Sequence, residues 1–491
     1  MNQELISKID GWFEEHRENL IEDLKRIVRI PSVSDTWKEG CGVSLQEHGG
    51  PFGWECKKAL EEMLLIGREH GFDTENYEDY VGSIGVKGSD MSNTIGFWNH
   101  LDVVPVGSGW SQDPFEPTEK DGFLIARGVG DNKGPAVGML YLMQCIRELG
   151  IEMKHNLRLF VGCNEETGME DMIYYTKNYP CPKLSLIPDC GFPVCYGEKG
   201  IIEGQFVLNN EISADIISIS GGNASNIIPD YAEISLVRKD GLLECIAAEK
   251  AKKQAELITV EELDDSIKIE ASGTSCHSAF PQGSRNAIHE LAAFLMDSEF
   301  LCEADRKQFA FLEMGTREYY GETEGIDFED EISGKTTCAG TVLRLEGRVM
   351  TLNLNIRYSI TADSEKMIER LGTYAAEYGA YWRLERDSKP GYFPKEHPAV
   401  SFLTDLFNEW SEQEKEAFVM GGGTYARKLP NAFAYGLSGM VETDEEKALK
   451  KTLFRPGTGG AHEPDEALYL RTYFEGLKFY TLAMIELDQV I

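Results

Sequence analysis

The sequence predicts an α/β fold with a mostly parallel sheet, interrupted by an inserted α+β unit. Two observations predict it. Short apolar runs alternate with helical patterns over residues 1–199 and again over 393–491. Between them, residues 200–392 change to alternating strand patterns broken by helices. We therefore expect one domain from 1–199 and 393–491, and a second from 200–392. A chain of 491 residues is too long for one ordinary core.

The first part of the chain shows helices and strands in βαβ order. Apolar residues at helical spacing predict a helix that Pro31 ends. The predicted elements that follow are a helix over Leu60–His70, strands over Thr94–Trp98, Leu157–Gly162 and Leu184–Ile187, and helices over Pro135–Leu149 and Asp171–Tyr179.

The remaining predicted elements lie in the inserted unit and in residues 393–491, where the alternation of strands and helices resumes. In the insert we expect strands over Gly204–Leu208, Glu233–Val237, Ser266–Ala271 and Met350–Tyr358, with helices near Asn286–Met296 and Ser364–Tyr378. After it we expect helices over Pro398–Trp410 and Glu466–Leu487.

Charge and composition exclude several classes of function. Lys and Arg number 48 against 83 Asp and Glu, a net charge of -35 that repels nucleic acid and anionic lipid. The sequence offers no uninterrupted apolar stretch for a signal segment or a membrane span. The 11 cysteines form no CxxC pair, which argues against a disulfide framework. We expect a cytoplasmic protein with neither nucleic acid nor membrane as partner.

Side chains that can bind metal follow the predicted strands. Because the carboxyl ends of parallel strands share one edge of a sheet, we expect them to converge there. They are His100 and Asp102, Glu165 and Glu166, and Asp189 after successive strands, Asp131 in a loop before a helix, and His462 before the last helix.

Two His, one Glu and two Asp without Cys suit a catalytic Zn, Mn or Co site. Glu165 and Glu166 point to opposite sides of an extended backbone, so one can bind metal while the other acts as general base. Asp102 could orient the His100 ring. Singly, each residue also fits a plain role: a chance His-x-Asp pair, an acidic helix start, a turn or cap at Asp131, a surface histidine at His462. Their joint occurrence favours a metal site.

Four segments together resemble the M20 family of dinuclear zinc peptidases: Asn99–Pro105, Gly128–Gly134, Asn164–Gly168 and Ala461–Glu463. The length of the middle unit and Gly421–Arg427 resemble its PepV-type bacterial dipeptidases. The resemblance implies two Zn²⁺, with Mn²⁺ or Co²⁺ as alternatives. His100 and Asp189 would hold one ion, Glu166 and His462 the other, and Asp131 would bridge them. It also implies Glu165 as general base and acid, and a cis peptide bond between Asp131 and Asn132.

The same resemblance makes the inserted unit a lid over a metal-binding catalytic domain. It implies that His277, with Asn226 as a second candidate, stabilises the oxyanion, and that Arg357 clamps the substrate carboxylate. Gly422, Gly423 and Thr424 would also hold a carboxylate. Each has a plain alternative: a surface residue at His277, a turn residue at Asn226, a strand salt bridge at Arg357 and a simple turn at the glycines.

The sequence therefore predicts a metal-dependent dipeptidase that hydrolyses short unblocked peptides. The resemblance to PepV-type dipeptidases implies a doubled lid, which replaces within one chain the dimer interface of shorter relatives. It therefore implies a functional monomer with a dipeptide as its substrate. Two alternatives stay open: an N-acyl amino acid deacylase or succinyl-diaminopimelate desuccinylase with the same site, and a catalytically silent regulator that binds amino acids or metal.

Overall fold

The computed structural model describes residues 2–86, 88–437, 440 and 442–491. They form two compact units. The first contains the chain up to Gly197, Tyr392–Phe418 and Gly423–Ile491. The second contains Glu198–Gly391 and Val419–Gly422. The predicted boundaries at 200 and 392 lie beside these limits, whereas the place of Val419–Gly422 in the second unit was not predicted.

Helices occur in both units. Those of the first unit are α1 (Gln3–Val28), α2 (Leu45–His48), α3 (Trp54–Glu69), α4 (Lys133–Glu148), α5 (Glu170–Asn178), α10 (Pro398–Ser411), α11 (Asp444–Leu453) and α12 (Leu470–Leu487). Those of the second unit are α6 (Leu242–Lys253), α7 (Ala287–Leu295), α8 (Glu303–Met314) and α9 (Ser364–Glu377). Short 3-10 turns cover Met91–Asn93 and Tyr425–Arg427.

The first unit is built on a mixed sheet. Its strands of four residues or more are β1 (Asp73–Tyr77), β2 (Val81–Gly85), β3 (Thr94–His100), β6 (Asn156–Gly162), β7 (Leu184–Ile187), β8 (Val194–Glu198) and β23 (Ala432–Tyr435), in the order β1-β2-β6-β3-β7-β23-β8. The α/β class is confirmed. The four central strands, β6, β3, β7 and β23, run parallel, whereas β1, β2 and β8 pair antiparallel, so the sheet is less uniformly parallel than predicted.

Burial explains why the central strands were predictable. Every residue of β3 and β7 is buried, as expected of parallel strands covered on both faces. Helices α1, α4 and α12 pack against one another. A Cβ at Gly138 of α4 would come within 2.5 Å of Leu477 of α12, so glycine permits that close approach. Helix α4 of this layer also packs against β3 and β6, the strands that lead to the candidate site.

The second unit contains an antiparallel sheet with helices, which is the α+β arrangement predicted. Its strands run in the order β13-β14-β12-β10-β18-β19-β9-β20. They are β9 (Gly200–Leu208), β10 (Ile216–Gly221), β12 (Tyr231–Val237), β13 (Ile258–Glu262), β14 (Ser266–Ser272), β18 (Thr337–Glu346), β19 (Val349–Tyr358) and β20 (Ala380–Ser388). A continuous apolar core joins this sheet to its helices, including Ile234, Leu291 and Leu354.

Several short strands complete the structure. They are β4 (Thr118–Lys120), β5 (Phe123–Ile125), β11 (Ile227–Ile228), β15 (Cys276–His277), β16 (Glu329–Asp330), β17 (Gly334–Lys335), β21 (Gly391–Tyr392), β22 (Phe418–Met420) and β24 (Ala467–Tyr469). The last helix begins at Leu470 and not at Glu466 as predicted, because Ala467–Tyr469 pairs with β5 as a strand. In the part of the chain that the structure describes, no helix has the length and apolarity needed to cross a bilayer.

Candidate metal centre

His100 is the last residue of β3 and is almost fully buried. Its Nδ1 lies 2.9 Å from the main-chain carbonyl oxygen of Asp102, which leaves Nε2 facing the strand edge. Nε2 is 3.1 Å from Asp131 Oδ1 and 3.7 Å from Asp189 Oδ2. Because β3 and β7 run parallel, side chains just beyond their ends meet at one edge, as the sequence predicted.

The Asp131 carboxylate lies between two imidazoles. Its Oδ1 is 3.1 Å from His100 Nε2, and its Oδ2 is 3.1 Å from His462 Nε2. His462, at a φ of 63°, also places Nε2 3.0 Å from Glu166 Oε1. The peptide bond between Asp131 and Asn132 is cis, which confirms that expectation. The five predicted ligands are therefore brought to one place within the first unit.

Asp102 contacts both halves of the cluster. Its carboxylate lies 3.5 Å from His100 Nδ1, farther than its own carbonyl oxygen, so the carbonyl is the nearer partner of the ring. The two carboxylate oxygens instead accept the main-chain N–H groups of Glu165 at 3.2 Å and of Glu166 at 3.1 Å. Asp102 thus holds the backbone that presents both glutamates.

Glu165 lies buried beside the cluster. Its Oε1 is buried and has no hydrogen-bond partner among the residues that the structure describes. Burial raises the pKa of Glu165 well above its usual range. Ligand-type atoms of His100, Glu165 and Asp189 lie within 4.8 Å of one another, as do those of His100, Asp131 and Glu166.

The electrostatics of the cluster favour positive charge. The neighbouring carboxylates of Asp131 and Glu166 raise the pKa of His462 to about 11. Burial opposes a charge on His100, yet hydrogen bonds to Asp102 and Asp131 still raise its pKa well above the usual value. Carboxylates outnumber the imidazoles here, and their oxygen and nitrogen donors are those that borderline divalent cations prefer. The residues therefore fit a pair of metal ions.

A model of the family described as "Peptidase family M20/M25/M40" matches residues 96–486 of this chain. The chain belongs to this family. "Putative dipeptidase YtjP" of Bacillus subtilis (strain 168) is 30% identical over 489 residues, covering 96% of this chain and 97% of that protein. A "Putative dipeptidase" of Staphylococcus epidermidis is 30% identical over 439 residues, 86% of this chain and 90% of its own length.

Solved structures give the same fold. The chain of the "Novel Di-peptidase Dug1p From Saccharomyces cerevisiae" matches with a TM-score of 0.56 at 13% identity, covering 99% of this chain and 98% of that one. At that identity the match establishes the fold alone. The family is metal-dependent, in agreement with the cluster of His100, Asp131 and their neighbours.

Several side chains around this site were not predicted from the sequence. Asn132 donates through Nδ2 to Asp189 Oδ1 at 2.8 Å and to the Pro188 carbonyl at 2.8 Å. It lies within the Gly128–Gly134 motif, so its position was a signal. Asp171 and Glu466 also border the site through main-chain contacts, and nothing in their spacing would have singled them out.

Three predicted lid residues come together in the second unit. His277 on β15 pairs with Ile227 on β11, and the Asn226 carbonyl accepts the Ser278 N–H at 2.8 Å. Burial and the nearby Arg357 lower the pKa of His277. Arg357 donates through Nε to Asn355 Oδ1 at 2.8 Å. Asn226 and His277 therefore lie on paired segments, and Arg357 lies close enough to His277 to lower its pKa.

The glycine run lies where the chain passes between the units. The Gly421 carbonyl, in the second unit, accepts a hydrogen bond from Arg357 Nη1 at 3.0 Å. Gly422 is the next residue in the chain and belongs to the same unit. Gly423 and Thr424 belong to the first unit. Thr424 caps the 3-10 turn, its Oγ1 accepting the Ala426 N–H at 3.1 Å. Part of this segment therefore has a structural role.

Proposed function

We infer that this protein is a metal-dependent dipeptidase that hydrolyses short unblocked peptides. The observation that carries the inference is the Asp131 carboxylate, with one oxygen 3.1 Å from His100 and the other 3.1 Å from His462. A carboxylate between two imidazoles suits a ligand shared by two ions. The dipeptidase names of the full-length bacterial relatives support the substrate class.

The ligand assignment follows the contacts around Asp131. We assign His100 and Asp189 to one ion, Glu166 and His462 to the other, and Asp131 to both. Nitrogen and oxygen donors of this kind suit Zn²⁺, and also Mn²⁺ or Co²⁺. Zinc is the proposed metal because catalytic zinc sites commonly combine His and carboxylate ligands.

The chain's own residues supply the proton transfers. Divalent ions bound here would lower the pKa of a water molecule and polarise the peptide carbonyl. Glu165, whose buried Oε1 has no hydrogen-bond partner in the described part of the chain, takes the proton from that water. The water oxygen bonds to the carbonyl carbon, the C–N bond breaks, and Glu165 gives the proton to the leaving amine. Asp102 keeps Glu165 in place, because its carboxylate accepts the main-chain N–H of Glu165.

Residues of the inserted unit and of the glycine run would supply substrate contacts. We assign oxyanion stabilisation to His277 and Asn226, and the substrate carboxylate to Arg357 with Gly422, Gly423 and Thr424. The proposed location is the cytoplasm. The proposed oligomeric state is a monomer, because the long inserted unit resembles the doubled lid of PepV-type dipeptidases. Sedimentation at micromolar concentration would decide this state, and a stable dimer would contradict it.

Glu165→Gln tests the proposed function. We expect kcat for alanyl-alanine to fall by about 10² to 10⁴-fold, because the general base is lost while shape is kept. Bound metal, measured by elemental analysis, should stay unchanged. Glu170→Gln is the matched control, since Glu170 is an exposed glutamate on the same segment. Its activity should equal that of the wild type.

The outcomes separate the alternatives. Hydrolysis of N-acetyl or N-succinyl amino acids without hydrolysis of alanyl-alanine would favour the deacylase or desuccinylase. Tight binding of amino acids or peptides by the wild type without turnover would favour the silent regulator. Full activity of Glu165→Gln would remove Glu165 from the reaction.

A further inference from the structure

Glu466 is a buried glutamate whose carboxylate binds the main chain of a single loop. It lies four residues after His462 and is 2% exposed. Its Oε2 accepts the Gly128 N–H at 3.0 Å. Its Oε1 accepts the N–H groups of Gly130 at 3.0 Å and of Asp131 at 3.1 Å. Three amides of the loop that presents Asp131 therefore converge on one side chain.

Arg127 balances the charge of Glu466. Its Nη1 lies 2.8 Å from Glu466 Oε2, and the two side chains are 1% and 2% exposed. The same guanidinium donates to the main-chain carbonyls of Glu463 at 3.2 Å and His462 at 3.4 Å. The Trp110 ring covers it, with the Arg127 Cζ 5.1 Å from the ring centroid. Arg127 therefore grips the segment that carries His462.

The two residues join the two segments in both directions. Glu466 belongs to the His462 segment and binds the Asp131 loop, whereas Arg127 belongs to the Asp131 loop and binds the His462 segment. The Ala126 N–H adds a main-chain bond to the Glu466 carbonyl at 2.9 Å. A shift of either segment would have to separate the buried ion pair of Arg127 and Glu466. That is costly, because each charge would lose its partner without gaining water in its place.

We propose that Glu466 is a positioning residue of the metal centre, which sets the Asp131 carboxylate against His462 and, with Arg127, makes the site ready for both ions. The proposal rests on the proposed function, because it takes Asp131 and His462 as ligands. Side chains that orient ligands commonly change metal affinity by 10 to 100-fold when they are replaced.

A second buried carboxylate provides the matched control. Asp488 also accepts main-chain N–H groups, from Lys154 at 2.7 Å and His155 at 2.9 Å, and a side-chain bond from His155 Nδ1 at 2.9 Å. None of these residues is a candidate ligand. Asp488→Asn should therefore lower stability without altering metal affinity, which is the result expected of a merely structural carboxylate.

The experiment measures Zn²⁺ affinity of the full chain against a chromophoric chelator, with unfolding of the metal-free proteins as a second readout. We expect Glu466→Gln to raise the zinc Kd by 10 to 100-fold. Glutamine has one acceptor oxygen and cannot serve both sides of the loop. Arg127→Lys keeps the charge beside Glu466 and the three amide bonds that Glu466 accepts, but it loses the paired bonds to the His462 and Glu463 carbonyls, so its Kd should rise by less than that of Glu466→Gln.

The results distinguish this proposal from the proposed function. Wild-type protein that binds no zinc would overturn the proposed function. Two bound ions in the wild type, with an unchanged Kd in folded Glu466→Gln, would overturn the positioning role alone. An equal loss of affinity in Asp488→Asn would overturn it too. If Glu466→Gln does not fold, Glu466→Asp decides by the same criteria, because its shorter side chain moves the carboxylate away from the N–H groups of Gly130 and Asp131.

Discussion

Three buried acidic side chains at the site accept hydrogen bonds from main-chain N–H groups of the neighbouring loops. Asp102 accepts the amides of Glu165 and Glu166, and Glu466 accepts those of the Asp131 loop. Asp171 Oδ2 accepts the N–H groups of Cys163 and Asn164, both at 2.9 Å. A carboxylate that accepts several amides stiffens the loop between them. Glu165, Glu166 and Asp131 therefore stand on loops whose main chain is held by other acidic side chains.

Gly162 tests how closely these parts fit. A Cβ there would lie 2.3 Å from Asp171 Oδ2 and 2.3 Å from the Tyr425 hydroxyl oxygen, so both must move in Gly162→Ala. Overpacking of this kind costs about 1–3 kcal/mol of unfolding free energy. We expect that loss in urea unfolding, together with lower dipeptidase activity, because Asp171 would be displaced from the amides that precede Glu165.

The control makes the same substitution where space is open. A Cβ added at Gly11 of α1 would meet no atom within 4 Å, and this glycine lies inside a helix. Gly11→Ala should therefore raise stability by up to about 1 kcal/mol. A stability of Gly162→Ala equal to that of the wild type would mean that the packing between Asp171 and Tyr425 is loose.

Among the elements, the buried central strands were the most predictable from sequence. Leu184–Ile187 was predicted with the bounds the structure has, because a strand buried on both faces is a short apolar run between polar segments. The strand β1, DTENY, is largely exposed and polar, so no apolar pattern marks it. It forms a strand because it pairs antiparallel with the adjacent strand β2.

The candidate ligands were predictable for a related reason. His100 ends a strand and Asp189 closely follows one, so the strand prediction placed both. Glu466 was predicted only as the first residue of the last helix. Its contacts with Gly128 and Asp131, more than 330 positions away in the chain, depend on the fold and leave no local pattern.

The start of α7 offers a test at the scale of one element. Asn286 caps this helix through Oδ1, which accepts the Ile288 N–H at 2.9 Å, while its Nδ2 donates to the Gly340 carbonyl at 2.7 Å. Asn286→Ala should cost about 2–4 kcal/mol, the sum of a lost cap and a buried carbonyl left without its donor. Chemical denaturation measures this loss.

Asp363 provides the comparison on α9. It is an exposed cap whose Oδ1 accepts the N–H groups of Glu365 and Lys366. Asp363→Ala should cost only about 1 kcal/mol, since water can replace the lost acceptor. Equal losses in the two variants would mean that the bond from Asn286 to Gly340 contributes little.

For the whole molecule, the acid-rich composition leads to a prediction about pH. The net charge is -35, yet one glutamate of the second unit, Glu324, is 2% exposed. Burial, and then the nearby charge of Glu318, raise the pKa of Glu324 to about 8. In the unfolded chain the same group titrates near 4.5.

This difference fixes the sign of the effect. Between pH 4.5 and 8 the folded protein keeps a proton that the unfolded chain has released. The free energy of unfolding therefore falls as pH rises through this window, and the contribution is constant above it. A shift of this size corresponds to about 4–5 kcal/mol between the ends of the window.

Glu324→Gln removes the titrating group and nearly keeps its shape. Its unfolding free energy should match the wild type near pH 4.5 and exceed it by several kcal/mol near pH 8, in urea unfolding at each pH. Glu331→Gln, at an exposed position of the same unit, removes one charge without burial and should leave the pH profile parallel to that of the wild type. A parallel profile for Glu324→Gln as well would mean that Glu324 is ionised in the folded protein, so the acid-rich surface, and not this buried group, would govern the response of the molecule to pH.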